Sequence, residues 1–122
     1  PGNYFEATVL ADVTPEMPVF AQETFGPVAA LTRVRNAEQA VTLANQSLYG
    51  LSAMVWTRDT ERARAIARRL AVGSVFINGV TASDPRMPVG GVKLSGYGRE
   101  LGAAGMREMM NTQTVWVGPA RV

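Results

Sequence analysis

The amino-acid sequence predicts an α/β fold: a parallel sheet built from consecutive βαβ units, with helices on both of its faces. Three observations predict it. Short β-rich runs alternate with helical periodicities from Val28 to Asn78. Each of the two helical stretches in that span opens on a good capping residue. The joints between them are short, and strand–helix–strand with short joints gives right-handed crossovers onto a parallel sheet.

Residues 4–13 alternate weakly between polar and apolar and read as a first strand. Thr14-Pro15-Glu16 offers a helix start, threonine as cap and proline at the first helical position, so a short helix is expected through Gln22. Residues 28–34, an apolar run after Gly26-Pro27, read as the next strand. Asn36 with Gln39 three residues on forms a capping box, and Ala37, Ala40, Val41, Ala44 and Leu48 recur on one helical face. Tyr49-Gly50 is expected to end that helix, and a strand follows over 51–57.

Asp59 caps the next helix. Its apolar face is Ala63, Ile66, Ala67 and Leu70, and the acids at its start suit the helix dipole. Gly73 falls where a left-handed C-cap residue belongs, and residues 74–78 read as the third central strand. The stretch 78–98 is rich in glycine and proline and longer than a mere connection. Residues 100–111 form a helix weakened by Gly102 and Gly105. Residues 112–117 alternate polar and apolar as a half-exposed strand. The chain therefore divides into an α/β body over 1–111 and a terminal strand with its tail over 112–122.

The 122 residues are one domain's worth, and 47% hydrophobic content rules out wholesale disorder. No run approaches the ~20 apolar residues of a membrane span, and no charged-then-apolar signal pattern opens the chain. Cysteine and histidine are both absent. That excludes disulfides, a thiol nucleophile and an imidazole base in this chain, and no metal site is expected. Chemistry is left to carboxylates, hydroxyls, arginines, backbone amides and the single lysine, Lys93. Eleven of the twelve basic residues are arginine, but the net charge is only +2. A nucleic-acid partner would rest on those arginines alone, and the helix carrying most of them reads as a solvated outer face, so none is expected.

The glycine-rich loop invites a cofactor reading that fails. Gly96-Tyr97-Gly98-Arg99-Glu100-Leu101-Gly102 places its last glycine one residue late for a dinucleotide fingerprint, and no strand directly precedes it. Lys93 does not follow a glycine, so there is no phosphate loop either. Arg99 and Glu100 read as anchors for the following helix. In pattern alone, Glu23-Thr24-Phe25-Gly26-Pro27 is a structural turn, Ser83 an ordinary loop serine, Arg86 a solvated arginine, and Met106, Met109 and Met110 filler.

A resemblance adds to that reading. Gln22-Glu23-Thr24-Phe25-Gly26-Pro27-Val28 and Pro88-Val89-Gly90-Gly91-Val92-Lys93-Leu94-Ser95-Gly96-Tyr97-Gly98-Arg99-Glu100 resemble the C-terminal part of NAD(P)-dependent aldehyde dehydrogenases. The likeness runs from about Tyr4 to Val117. It is nearest to bacterial succinate-semialdehyde dehydrogenases, on Ser83 and the stretch 96–111.

The resemblance implies that Glu23 hydrogen-bonds the nicotinamide ribose and that Phe25 packs against the nicotinamide of NAD or NADP. It implies that Ser83 and Val89 line the aldehyde entry, with Ser83 bonding a distal carboxylate. Val89 departs from the phenylalanine usual there and leaves a wider wall. The nucleophile and general base would lie before Pro1, so the resemblance implies no catalytic residue in this chain and no activity for it alone. It further implies a cytoplasmic enzyme acting on a small aldehyde and a homo-oligomer formed through the terminal strand. The rival reading is a non-catalytic oligomerisation or interaction module on the same fold.

Overall fold

The computed structural model describes residues 2–119 and lays down two βαβ units in series. In the first, β1 (Thr8–Leu10) pairs in parallel with β2 (Val28–Ala30), Thr8 opposite Val28, and the short helix α1 (Pro18–Ala21) lies on the crossover. Helix α2 (Ala37–Gln46) then leads to β3 (Tyr49–Gly50). The second unit follows at once. There β4 (Ser52–Val55) pairs in parallel with β5 (Ser74–Ile77), Ser52 opposite Ser74, with α3 (Thr60–Ala67) between them. The chain closes with β6 (Val92–Lys93) and helix α4 (Gly102–Glu108).

The continuous parallel sheet expected from the sequence is not formed among the described residues. Three two-stranded sheets stand in its place. The reason lies at the end of α2, where Tyr49-Gly50 does not merely stop the helix. It forms an antiparallel pair with β6, Tyr49 opposite Lys93, so the chain leaving α2 goes to the glycine-rich loop and not to the side of β2. Each parallel pair therefore keeps its own edges.

Local signals explain most element starts. The Asn36 side chain accepts from the Gln39 backbone N–H at 2.9 Å, and the Asp59 carboxylate accepts from the Arg62 N–H at 2.9 Å. The capping box is shifted by one residue, since the Gln39 side chain accepts from the N–H of Arg35 and not of Asn36. The first helix begins at Pro18 and not at Pro15. A helix opened by Thr14 would put Pro18 at its fourth position, where the missing N–H forfeits the first intrahelical bond. Thr14 to Met17 closes a turn instead, Met17 N–H donating to the Thr14 carbonyl at 3.0 Å.

Gly73 is not a left-handed cap, because its φ is not positive. It is needed for close approach: a Cβ there would sit 1.6 Å from the Gly90 carbonyl oxygen. Helix α4 starts later than the expected residue 100 because Leu101, at φ 61°, cannot continue a right-handed helix, and the helix begins at Gly102. Residues 112–117 form no ladder with any of the described residues.

The core is thin. Val13, Val41 and Ala63 are the buried apolar residues, while Phe25, Trp56, Tyr97 and Trp116 are exposed. The chain exposes 10341 Å². A compact monomer of 13.1 kDa exposes about 6,400 Å². The excess, about 4,000 Å² by that scaling, is more than one partner's share, about 1,000–2,500 Å², of a large permanent interface. No helix among the described residues is long and apolar enough to cross a membrane.

Candidate functional site

The turn between α1 and β2 carries Glu23 and Phe25. Gln22 ends α1, its N–H donating to the Pro18 carbonyl at 2.8 Å, and Pro27 is fastened at its carbonyl by the Thr8 N–H at 2.8 Å. Between these fixed points the described hydrogen bonds include none to Glu23, Thr24 or Phe25. Phe25 stands at φ 34°, a genuine outlier for a bulky side chain, and its ring is 92% exposed. Such strain clusters at functional positions and is a reason to ask what the ring is held out for. The ring borders a small apolar cleft of about 260 Å³ with Phe5, Pro27 and Val28. Glu23, two residues away, faces a different open cleft of about 520 Å³ between Tyr49, Leu94 and Ser95.

The long loop is far better fastened. Val89 and Glu100 exchange both backbone hydrogen bonds at 2.8 Å, and Gly102 N–H donates to the Pro85 carbonyl at 3.0 Å. Asp84 bonds three groups of Arg86: its Oδ1 accepts from the backbone N–H at 2.9 Å and from Nε at 2.9 Å, and its Oδ2 from Nη2 at 2.6 Å. Those bonds from the Arg86 side chain, then from its backbone N–H, hold the Asp84 carboxyl below the ordinary aspartate range and push the guanidinium above its own. Arg86 is thus an ion-pair partner and not simply solvated. Ser83 is the exposed residue just before this knot and borders none of the described clefts. Val89 borders a cleft of about 510 Å³ with Tyr97, Arg99 and Met109.

Four candidate residues therefore occupy four surroundings, and the described chain does not gather them into one cavity. Among the residues that organise the site, Ser95 and Asn78 were not singled out in the sequence, and Lys93 and Arg99 play parts other than those read there. Lys93 is not chemical: its Nζ donates to the carbonyls of Asn45 at 2.9 Å and Ser47 at 2.8 Å, closing the C-terminal end of α2. Ser95 Oγ accepts from the Gly50 N–H at 2.9 Å. Arg99 donates through Nη1 to the carbonyls of Gly91 and Gly98, so it anchors its own loop and not the helix after it. The Asn78 side chain accepts from the Thr57 N–H and donates to the Thr57 carbonyl, both at 2.8 Å, which ties the loop's start to the end of β4. The signal for the Asp84 knot was present as Asp-Pro-Arg, an aspartate able to bond the backbone two residues on.

The profile of the aldehyde dehydrogenase family matches residues 1–115. The chain belongs to the aldehyde dehydrogenase family. It is 57% identical over 115 residues to the NAD(P)+ succinate semialdehyde dehydrogenase of Escherichia coli K12, a match covering 94% of this chain and 25% of the relative. Among solved structures, it aligns at TM-score 0.90 and 36% identity with the succinic semialdehyde dehydrogenase of Streptococcus pyogenes bound to NADP+, covering 97% of this chain and 26% of that one. A betaine aldehyde dehydrogenase from Staphylococcus aureus in complex with NAD+ aligns at TM-score 0.83 and 38% identity, covering 88% and 21%. The chain thus spans about a quarter of the length of the relatives it matches. It contains no cysteine.

Proposed function

We propose that this chain is the part of an NAD(P)-dependent succinate-semialdehyde dehydrogenase that contacts the nicotinamide ribose and lines the aldehyde entry. Glu23 accepts from the ribose hydroxyls, Phe25 packs against the nicotinamide, and Ser83 and Val89 border the substrate. The observation that carries the reading is the 57% identity to the Escherichia coli enzyme across 94% of the chain.

The residues present suit the cofactor. Glu23 is exposed and takes part in no described hydrogen bond, so both carboxylate oxygens can accept from a vicinal diol. Phe25 offers an open ring beside an apolar cleft, a surface a flat heterocycle can lie against. When bound, NAD(P)+ supplies the hydride acceptor. This chain's part is to hold the ribose and limit where the ring can move. The thiolate that attacks the aldehyde must come from residues outside these 122, so the chain alone is expected to be inactive.

The exposed segment 112–117, with Val115, Trp116 and Val117 uncovered, favours a role in assembly as well. An exposed segment that alternates polar and apolar residues can add a strand to another subunit, and a homo-oligomer is part of the proposal.

The test is Ser83→Ala in the full-length enzyme carrying this segment. Loss of a hydrogen bond to a charged carboxylate is worth ~1.5–3 kcal/mol, so kcat/KM for succinate semialdehyde should drop roughly 10- to 150-fold, mostly in KM. Butyraldehyde, without the carboxylate, should be spared. Equal change for both aldehydes removes Ser83 from substrate recognition and with it the substrate assignment.

A further inference from the structure

We infer that Asp84 and Arg86 form a charge-neutral clamp that positions Ser83 for a carboxylate-bearing aldehyde. The inference rests on the reading of Ser83 given above and adds two residues that act through it. The geometry is specific. Both oxygens of Asp84 are engaged by Arg86, and the Asp84 carbonyl accepts from the Met87 N–H at 2.9 Å. The turn is in turn pinned to the start of α4 by the bond from Gly102 to Pro85. Upstream, the described bonds of residues 79–83 reduce to one hydroxyl contact, Thr81 with Ser52 at 3.2 Å. Ser83 is the first residue outside the knot, and its position is set from the Asp84 side.

Stability does not account for this pair. Its side chains are 85% and 37% exposed on Arg86 and Asp84, and exposed ion pairs contribute little to folding. Electrostatics at Ser83 gives it a purpose. A bare aspartate one residue from a serine that receives a carboxylate would repel the substrate. The guanidinium cancels that charge and uses only Nε and one Nη2 hydrogen on Asp84, which leaves three N–H groups pointing elsewhere. The acid is the more covered partner and the guanidinium the more exposed one, so an approaching anion meets the cation first. The clamp therefore does two things for Ser83: it fixes the backbone, and it removes a repulsion.

The experiment uses the full-length enzyme, with succinate semialdehyde and butyraldehyde as paired substrates. Arg86→Gln unmasks the Asp84 charge. At a separation of several ångströms in a partly wet site, that should raise KM for succinate semialdehyde roughly three- to tenfold, with kcat changed by less than about twofold and butyraldehyde spared. The rise should shrink in high salt, where the Debye length falls to about 3 Å. Adding Asp84→Asn to Arg86→Gln restores neutrality and keeps an oxygen for the turn, so most of the KM should return. A purely structural role predicts loss for both aldehydes and no rescue, and that result overturns the inference, as does an Arg86→Gln enzyme with unchanged KM. Ser83→Ala measured alongside separates the two readings: if it responds and Arg86→Gln does not, the clamp alone fails, and if Ser83→Ala is silent, the reading beneath it fails.

Discussion

The loop at 82–91 and the turn at 22–27 are both outside helices and strands, yet the loop is tied at most of its residues from Asp84 onward and the turn only at its ends. Asp84, Pro85, Val89 and Gly91 all take part in hydrogen bonds made within this chain, to Arg86, Gly102, Glu100 and Arg99. Glu23, Thr24 and Phe25 take part in none among the described bonds, and Phe25 stands exposed at φ 34°. The same contrast holds for space around glycines. A Cβ on Gly90 would meet the Gly98 carbonyl oxygen at 2.6 Å and one on Gly91 the Ser95 Cβ at 2.5 Å, whereas one on Gly26 meets nothing nearer than 3.5 Å. The loop that carries Ser83 is fastened by bonds made within this chain, and the turn that carries Glu23 and Phe25 is fastened only at its ends.

The largest effect that could break this contrast is a glycine comparison in the full-length enzyme. Gly73→Ala forces the backbone of β5 away from Gly90, so it should cost about 3 kcal/mol, the upper end of overpacking penalties. Gly26→Ala should stay within about ±0.5 kcal/mol, the range of an uncrowded surface change. Thermal unfolding of both variants checks it. A Gly26 variant as damaged as the Gly73 variant would mean that the turn is as tightly built as the loop.

Next in size is Glu23→Gln. It keeps shape but gives up the charge that strengthens a hydrogen bond, so kcat/KM for NAD(P)+ should drop roughly ten- to 150-fold. The ratio between succinate semialdehyde and butyraldehyde should not move. Steady-state kinetics at varied cofactor and varied aldehyde separate the two, and a changed aldehyde ratio would merge the two loops into one functional unit.

A smaller effect concerns acid. Hydrogen bonds from Arg86 lower the Asp84 carboxyl below its ordinary range, and those from Arg69 do the same for Glu38. A lowered folded value means the stabilisation is present above the ordinary carboxylate range and lost only as pH falls through the folded value. The loop should therefore stay locked between neutral pH and pH 5, with exchange at the Met87 and Val89 amides, corrected for intrinsic rate, unchanged there. Opening within that window would mean the ion pair is not what closes the knot.

What was legible in the sequence was local. Asn36 and Asp59 cap helices with their own side chains, a signal that needs no distant partner, and both helices start where the sequence says. The α/β class and the parallel pairing of β4 with β5 were also readable, whereas the pairing of β2 with β1 instead of β4 was not. The single sheet was not, because the antiparallel pairing of Tyr49-Gly50 with Val92-Lys93 joins segments more than forty positions apart and leaves no periodicity. Gly73 looked like a cap since the Gly90 carbonyl that crowds it is invisible in sequence. At the site, Glu23 and Phe25 were legible only as a family motif. The Asp84 turn chemistry could have been read locally, but its tie to Gly102 could not.

The most direct test of the two-loop account is amide hydrogen exchange on the full-length enzyme, with NAD(P)+ alone and with succinate alone. The account predicts that the cofactor slows exchange over 22–26 and leaves 82–84 unchanged, while succinate slows 82–84 and leaves 22–26 unchanged. Protection of both segments by either ligand, or of neither by both, would contradict it.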